Sequence, residues 1–257
     1  MNIYQHFRPE EREFIDQVLN WKNYVETHYT PKLTDFLDPR EQHILKMLIG
    51  EQGEVTYKFF GGSPDAERKR ALIFPDYLIV TEDEFQISLF DIRYPSKFVT
   101  IEHRQVLGTL MSLGLKRGKF GDILNMDGKA QFFAAKEIRD YIISNVETIG
   151  RAGVKVTETS FENMISTNEI LVENDLTVSS LRLDTVISGI YHLSRQKSQL
   201  FIQQGLVKVN WSLTENPSFE CGVGDMISVR GSGRSKILAV EGRTKKEKWR
   251  INVGKQK

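Results

Sequence analysis

The last 77 residues of this chain carry an ordered series of short motifs that restricts what they can fold into. In chain order the series indicates a helix, a turn, a second helix, a glycine stop and several short strands. We therefore predict a compact unit of two helices packed on β-strands. The motifs are RLD at 182–184, SR at 194–195, GLVKVN at 205–210 and GDMISVRG at 224–231.

The two helices of this unit are predicted from apolar spacing and capping residues. In the first, four apolar residues recur at i, i+3, i+4 and i+7, which gives one buried face. They are Leu183, Val186, Ile187 and Ile190. The second helix is predicted to begin after Ser194, whose hydroxyl can cap it, and to stop at Gly205 in a left-handed turn. Leu200 and Phe201 would form its buried face.

Two cations are predicted in the first turn of the second helix. Arg195 and Lys197 follow the capping serine, where the helix dipole disfavours positive charge. A phosphate bound at the helix start would compensate, because it would meet exposed N–H groups, the dipole and Arg195 together. The alternative is a plain surface turn whose charges face water. We favour the phosphate.

The strands that follow are predicted to be half-buried. After Gly205, the apolar Val207, Val209 and Trp211 would point inward, with Lys208 and Asn210 outward. The same alternation is predicted farther on, where one face carries Lys246, Lys248, Arg250 and Asn252 and the other carries Trp249, Ile251 and Val253.

The outward cations predict a surface that holds a polyanion. Rows of Lys and Arg bind phosphates without reading sequence. Three further cations flank the flexible 231–233 stretch and could follow a curved RNA backbone; they are Arg230, Arg234 and Lys236. We predict that these residues share one basic face with the start of the second helix, and that RNA is the ligand.

The distribution of charge supports the same interpretation. The whole chain has a formal net charge of +1. Residues 181–257 hold 14 Lys and Arg against 6 Asp and Glu, whereas residues 1–180 hold 21 against 28. A charge asymmetry of this kind points to a nucleic-acid or membrane module joined to another part. The alternative without a binding role is that basic residues gather in a solvated tail.

Composition excludes several other classes. With 257 residues, 40% of them hydrophobic, the chain is long enough for two or three domains. Its single cysteine, Cys221, fits a reducing cytosol, and no window resembles a signal peptide or a membrane span. The five histidines lack ligand spacing, so we expect no metal and no cofactor. We expect a soluble cytoplasmic protein, not inserted in a membrane and without a small-molecule substrate.

The N-terminal region, 1–75, is predicted to be helical with one short strand. A helix beginning near Pro9 would run until 30–31, with apolar residues at helical spacing. A second would begin after Asp38 as N-cap, with Glu41 three residues on. A strand is predicted at 55–60.

The middle region, 76–160, alternates between strand and helix patterns. Strands are predicted at 77–80, 86–93, near 121–125 and 130–134, and at 153–158, with helices at 102–113 and 136–146. From 86 onward the order is βαββαβ, which is typical of a ferredoxin-like fold. The aromatic signature of the classical RNA-recognition motif is absent from its expected strand. The overall fold class is α+β.

Two basic clusters lie outside the terminal unit. One is formed by residues 68–70, and the other by Lys116, Arg117 and Lys119 in a GxxG loop similar to the phosphate-clamping loop of KH domains. Each is either solvated surface or a secondary RNA contact. The second cluster is kept as a possible contact site.

Together these motifs carry a resemblance to a known domain and family. Residues 182–234 resemble the S4-type RNA-binding domain in RLD, SR, the VxVN stretch, Pro217 and GDxIxVRGxG. With the 74–77 and 118–122 stretches, the whole chain is similar to the YlmH family of bacterial RNA-binding proteins, which are encoded near cell-division genes. The resemblance implies a helical start, an RRM-like middle and an S4-type domain at 181–257.

The resemblance also implies a role and a set of contacts. It implies binding to structured ribosomal RNA or tRNA on the large ribosomal subunit, in the rescue of obstructed peptidyl-tRNA complexes, without catalysis. Asp184 is implied either to contact RNA or to orient Arg182 through an ion pair. The residues implied to face RNA by position are Arg182, Ser194, Arg195 and Lys197.

Two alternatives remain open at this point. S4-type domains are fused to pseudouridine synthases, whose catalytic motif also contains RLD with the aspartate as nucleophile. Residues 182–189 approach that motif, but Ile187 stands where a hydroxyl is needed. The second alternative is a protein-interaction platform, in which the acidic residues 1–180 bind a partner and RNA serves as a tether.

Overall fold

The computed structural model describes Tyr4, Phe7 and residues 9–50, 53–166 and 171–256. It divides into two compact units, Met1–Thr167 and Asn168–Lys257. Helices and strands are mixed within each unit, which confirms the α+β class. The domain boundaries predicted at 75 and 160 stay predictions.

The first unit begins with a layer of two helices and a three-stranded antiparallel sheet. The strand order is β1-β3-β2. The elements are α1 (Arg12–His28), β1 (Lys32–Leu37), α2 (Pro39–Ile49), β2 (Val55–Phe60) and β3 (Lys69–Pro75). Sequence analysis predicted one strand here, at 55–60, so β1 and β3 correct that prediction.

The start of α2 follows its predicted capping box. Glu41 donates its backbone N–H to Asp38 Oδ1 at 2.9 Å, and the Asp38 N–H donates to Glu41 Oε2 at 2.7 Å. Pro39 occupies the first turn, where a missing N–H costs nothing. These contacts satisfy backbone groups that a helix start leaves unpaired.

The middle of the chain has the predicted βαββαβ order. Its sheet is antiparallel with strand order β5-β6-β4-β9, the ferredoxin-like arrangement. A two-strand hairpin lies between the second helix and the last strand. The elements are β4 (Ile87–Arg93), α3 (His103–Ser112), β5 (Phe120–Met126), β6 (Lys129–Ala135), α4 (Arg139–Asn145), β7 (Thr148–Ile149), β8 (Ala152–Gly153) and β9 (Lys155–Thr159).

The strand predicted at 77–80 is wrong. The chain turns after β3, where the Leu78 N–H donates to the Pro75 carbonyl at 3.0 Å. The β-rich composition of 77–80 therefore belongs to a loop, and the strand itself lies earlier in the chain.

The second unit is the predicted pair of helices on a sheet. The sheet has six strands in the order β10-β15-β14-β13-β11-β12. Val186 and Ile187 of the first helix share a buried core with Val207 and Val209 of the sheet. The elements are β10 (Leu171–Val178), α5 (Leu183–Tyr191), α6 (Arg195–Gln203), β11 (Val207–Val209), β12 (Ser212–Leu213), β13 (Met226–Val229), β14 (Gly233–Arg243) and β15 (Trp249–Gln256).

The buried face of α6 is not the predicted one, which contained Leu200 and Phe201. Ser198 and Ile202 are fully buried, whereas Leu200 is 49% exposed. Phe201 is only partly buried. The i, i+4 pair Ser198 and Ile202 defines the inner side, so Leu200 is rotated toward solvent. In the described part of the chain, no helix combines the length and apolarity needed to cross a bilayer.

Candidate nucleic-acid interface

A buried carboxylate joins the starts of the two helices of the second unit. The Asp184 side chain has no exposed surface. Arg195 donates Nε–H to Asp184 Oδ2 at 2.9 Å, and Gln199 donates its amide N–H to the same oxygen at 2.7 Å. Arg182 donates to both carboxylate oxygens, at 3.3 and 3.4 Å. One carboxylate therefore fixes two arginines from separate elements.

The two arginines keep solvent-facing surface although they are held. The Arg182 side chain is 40% exposed and the Arg195 side chain is 54% exposed. Each guanidinium has five N–H donors in a planar fork, so donors remain for an external acceptor after the contact to Asp184. The arrangement presents two oriented cations at the surface.

The ionisation of Asp184 follows from the same contacts. Burial by itself would raise the pKa of this carboxyl. Hydrogen bonds from Arg182, Gln199 and Arg195 outweigh burial and lower the pKa of Asp184 to about 2. The carboxylate is therefore charged at neutral pH, and its charge is matched within the protein.

The backbone around Arg182 is anchored to the loop before β13. Arg182 forms an isolated antiparallel bridge with Glu220. The Leu183 N–H donates to the Phe219 carbonyl at 2.8 Å, and the Asp184 N–H donates to the Pro217 carbonyl at 3.2 Å. Backbone donors at the start of α5 are thus satisfied, and the position of Arg182 is set by main-chain contacts.

The start of α6 is capped as predicted. The Lys197 N–H donates to Ser194 Oγ at 3.2 Å. Lys197 is exposed, and its Nζ lies 5.7 Å from the centroid of the Phe201 ring, one turn on. The helix ends before Gly205, whose φ of +68° is the left-handed stop expected there. The predicted first turn with Arg195 and Lys197 is confirmed as geometry.

Asp184 itself cannot contact RNA in this arrangement. A side chain with no exposed surface has no path to a ligand, and its oxygens already accept bonds from four side chains, Thr185 included. Of the two readings left open by the sequence, the ion pair with Arg182 is the one the structure shows. Asp184 is a positioning residue.

A second group of cations lies on the sheet. Lys208 of β11 pairs with Ser228 of β13, which pairs with Arg234 of β14. Lys236 pairs with Met226 in the next row. These residues alternate with buried positions on each strand, so they occupy the sheet face away from the helices.

The prediction of a single basic face is therefore wrong. The arginines fixed by Asp184 belong to the helix layer, whereas Lys208, Arg234 and Lys236 are on the opposite side of the sheet. Strand alternation shows which side chains avoid the core, but it does not show which layer the helix starts occupy. The two groups form two separate surfaces of the same unit.

Three further predicted contacts lie in turns and not on strands. Asn210 has a φ of +50° and follows β11. Its side-chain N–H donates to Asp225 Oδ1 at 2.8 Å, and its side-chain oxygen accepts from the Met226 N–H at 2.9 Å. Trp211, predicted as an inward strand residue, also lies in this turn, at φ +63°. Lys246 and Lys248 lie in the hairpin before β15.

The remaining predicted contacts keep exposed positions. Arg250 lies on β15 and is exposed, and Arg230 is exposed in the turn between β13 and β14. The Arg230 N–H donates to the Leu206 carbonyl at 2.9 Å, which ties this turn to the strand after α6.

The basic loop of the middle region forms bonds to other residues of the first unit. Lys119 Nζ donates to Asp35 Oδ1 at 2.6 Å and to Glu137 Oε1 at 2.9 Å. Arg117 donates to the Phe120 carbonyl at 2.6 Å. Lys116 is exposed. Two of the three cations kept as a possible secondary RNA contact are therefore engaged within the protein.

The other basic cluster is also internal. Arg70 is 4% exposed and donates to the carbonyls of Thr34 at 2.7 Å and Gln86 at 2.9 Å, and to Glu137 at 3.2 Å. Arg68 donates to the Phe36 carbonyl at 2.7 Å. These bonds join the N-terminal layer to the middle sheet, so the cluster is a structural junction.

Comparisons with known proteins match three parts of the chain to family models. These are "YlmH, N-terminal" at residues 10–78, "Putative RNA-binding domain in YlmH" at 81–163, and "S4 domain" at 181–227. A Bacillus subtilis (strain 168) protein is 46% identical over 257 residues, which is 100% of this chain and 99% of that protein. Its name is "Ribosome-associated protein quality control protein P2".

This chain belongs to the YlmH family. A solved structure agrees with that membership: "Cell division protein ylmH from Streptococcus pneumoniae" is 34% identical, with a TM-score of 0.55. It covers 64% of this chain and 100% of that chain. The resemblance drawn from the terminal motifs is thereby confirmed, including the S4 domain.

The S4 match separates the predicted contacts of this YlmH-family chain into two sets. The residues gathered around Asp184 and the start of α6 lie within 181–227, as do Lys208 and Asn210. Six others lie beyond it: Arg230, Arg234, Lys236, Lys246, Lys248 and Arg250.

Sequence reasoning missed one member of the site. Gln199 was not predicted, although it lies four residues after Arg195 and so on the same helix face. That spacing was the available signal. The sequence showed Asp184 only as part of the RLD motif. No local pattern indicates the contact between Asp184 and Gln199, because the two residues lie on different helices.

Proposed function

We propose that this protein binds structured RNA of the large ribosomal subunit through its S4 domain, with Arg182 and Arg195 as the leading contacts. The observation that carries the proposal is the buried Asp184, which orients two partly exposed guanidinium groups. Arginine forks of this kind fit phosphate oxygens in two-bond geometry. Lys197 adds charge beside them. The cations on the outer sheet face are proposed as a second phosphate-binding surface.

The proposed cellular role is ribosome-associated quality control, by binding complexes in which peptidyl-tRNA is obstructed. The name of the Bacillus subtilis relative supports a role on the ribosome, and its identity extends over the whole chain. We further propose that the protein works in the cytoplasm, where ribosomes are. Contact with tRNA in addition to ribosomal RNA is part of the proposal.

We propose that the protein acts by binding and not by catalysis. The pseudouridine synthase alternative requires Asp184 as an accessible nucleophile. A fully buried carboxylate that accepts hydrogen bonds from Arg182, Arg195 and Gln199 is poorly suited to attack a base. The same contacts suit a residue that orients cations.

Sedimentation of the full chain with ribosomal particles tests the proposal. The double variant Arg182→Glu and Arg195→Glu should lose comigration with large subunits in a sucrose gradient at moderate salt. A matched control is Lys58→Glu with Lys136→Glu, which changes the charge by the same amount at two exposed lysines of the first unit. The control should migrate as wild type.

Two results would overturn the proposal. One is a double variant that keeps its circular dichroism spectrum and still comigrates fully with large subunits. The other is wild-type protein that remains at the top of the gradient when large subunits are in excess.

A further inference from the structure

The middle sheet has a face that points away from α3 and α4, and most of it is covered. Phe133 of β6 lies on that face and has no exposed surface. A Cβ built on Gly62 would lie 2.3 Å from its ring, and the Phe161 ring centroid is 6.1 Å away. RRM domains stack bases on aromatic residues of this face. Phe133 is unavailable for that purpose.

A segment after β9 crosses the same face. Gln131 of β6 is 3% exposed, and its side chain holds the backbone of residues 160–166. It donates to the Asn163 carbonyl at 3.0 Å and accepts from the Ile165 N–H at 2.9 Å. The parts of the face that contain Phe133 and Gln131 are thus covered by this chain's own residues.

The last row of the face is uncovered and cationic. Arg93 of β4 pairs with Lys155 of β9. Ile92 pairs with Ala130, so the next step of the antiparallel register brings Lys129 opposite Arg93. Because paired residues point to the same side, the three cations form a row across three adjacent strands. Met126 of β5 pairs with Lys129 and extends the row.

This row carries more positive charge than the carboxylates beside it offset. Arg93, Lys129 and Lys155 are all exposed. The Arg93 Nε donates to Asp91 at 3.3 Å, whereas neither lysine has an ion pair within the part of the chain the structure describes. Asp127 lies in the β5–β6 turn, two residues before Lys129. Like charges directly opposite each other on a sheet are destabilising, so a bound anion would relieve the repulsion.

An exposed aromatic lies in the loop that follows Arg93, and this loop contacts the β5–β6 hairpin. The loop after Arg93 carries Lys97 and Phe98, and Phe98 is 87% exposed. A Cβ on Gly128 would lie 3.2 Å from Ser96 Cβ, so the loop packs against the hairpin that carries Lys129. Cations next to an exposed aromatic ring are the components with which proteins hold single-stranded nucleic acid.

We infer that Arg93, Lys129 and Lys155 bind the phosphates of an unpaired RNA strand, with Phe98 stacking on one of its bases. This second RNA site belongs to the first unit and goes beyond the S4 contacts proposed above. It gives the middle domain an RNA-binding surface that does not need the covered sheet face. An unpaired strand is required because the aromatic ring needs a base that is free to stack.

Fluorescence anisotropy with a labelled 12-nucleotide oligouridylate and the full chain tests the inference. The triple variant Arg93→Gln, Lys129→Gln and Lys155→Gln should weaken binding by at least about tenfold at low salt. It should also reduce the slope of log K against log salt by about 2, since each lost phosphate contact removes about 0.7. Phe98→Ala should weaken binding about tenfold with the salt slope unchanged.

Thermal unfolding shows whether the triple variant is still folded. Removing mutual repulsion should leave its melting temperature equal to or above that of wild type, so weaker binding cannot come from misfolding. A control that removes the same three charges elsewhere is Lys46→Gln, Lys58→Gln and Lys136→Gln, at exposed lysines of the first unit, and it should bind as wild type.

The S4 variants separate this inference from the proposed function. Arg182→Glu with Arg195→Glu should lose large-subunit binding and keep most oligouridylate affinity. If the triple variant and Phe98→Ala both bind the oligonucleotide as wild type does, the inference is wrong, whatever the S4 variants show. The same holds if the row binds an acidic peptide while RNA affinity is unchanged.

Discussion

Arg195 and Asp184 form a 2.9 Å hydrogen-bonded ion pair between α6 and α5, in which the carboxylate is fully buried and the guanidinium is half exposed. The pair ties a motif in one helix to a motif in the next. A buried carboxylate with several donors stabilises the fold only in its charged form. The pair therefore has measurable consequences for stability as well as for RNA binding.

Asp184→Asn should destabilise the second unit in a pH-dependent manner. The pKa of Asp184 is lowered from 3.8 to about 2, because bonds from Arg182, Gln199 and Arg195 outweigh its burial. A carboxyl whose pKa is lower in the folded state contributes stability above its unfolded pKa. That contribution, about 2 kcal/mol, is lost as the pH falls from about 4 toward 2.

Urea unfolding at several pH values checks this prediction. The difference in unfolding free energy between wild type and Asp184→Asn should be largest at neutral pH and should shrink below about pH 4. Glu215→Gln, at an exposed carboxylate of the same unit, should show little difference at any pH. A pH-independent loss for Asp184→Asn would contradict the charge-based account.

Arg70→Met should destabilise the first unit strongly. The substitution removes the side-chain donor to the carbonyls of Thr34 and Gln86 and one of the two cations beside Glu137, the other being Lys119. Removing one partner of a buried ionic network costs about 3–5 kcal/mol. Chemical denaturation should show this loss, while Lys58→Met on the surface should change stability by less than about 0.5 kcal/mol. Equal stability of the two variants would refute the junction role.

Gly62→Ala should also destabilise the first unit, for a steric reason. Gly62 has a φ of +95°, and its added Cβ would lie 2.3 Å from the Phe133 ring. We expect a loss of about 2–4 kcal/mol from strain and displaced packing. Gly108→Ala in α3 is the control, because no atom lies within 4 Å of its Cβ. It should stabilise by about 0.5–1 kcal/mol, and differential scanning calorimetry should show opposite shifts.

Cys221 should be unreactive in the folded protein. It is 2% exposed, and burial, assisted by the charge of Asp225, raises the pKa of its thiol to about 12. At pH 8 only about one thiol in 10⁴ is then ionised, and the thiolate is the reactive form. A chromogenic disulfide reagent should label it only in denaturant. An exposed thiol introduced by Ser218→Cys should react at once, and rapid labelling of wild type would disprove the burial argument.

Local signals account for the elements that the sequence predicted well. The capping box of Asp38 and Glu41, the cap at Ser194 and the stop at Gly205 each depend on neighbours within a few residues. The βαββαβ order likewise follows from periodicities that are visible in short windows. Features of this kind need no knowledge of tertiary contacts.

The failures have two physical origins, distant contacts and intervening turns. Arg70 looked like surface charge because its partners lie 16 to 67 residues away in the chain. Its strand, β3, was missed for the same reason. Lys246 and Lys248 continued an alternating pattern through a hairpin, where Glu247 at φ +56° breaks the strand. Alternation alone cannot show that a turn intervenes.

The amide of Gln131 imitates a neighbouring strand. Its N–H donates a hydrogen bond to the Asn163 carbonyl, and its oxygen accepts one from the Ile165 N–H, as the backbone of a paired strand would. Glutamate at this position would lack the donor, leucine would lack both groups, and asparagine would be one methylene too short. Glutamine therefore supplies both groups at the required length, and grafting the middle domain into another protein would require carrying residues 160–166 along with it.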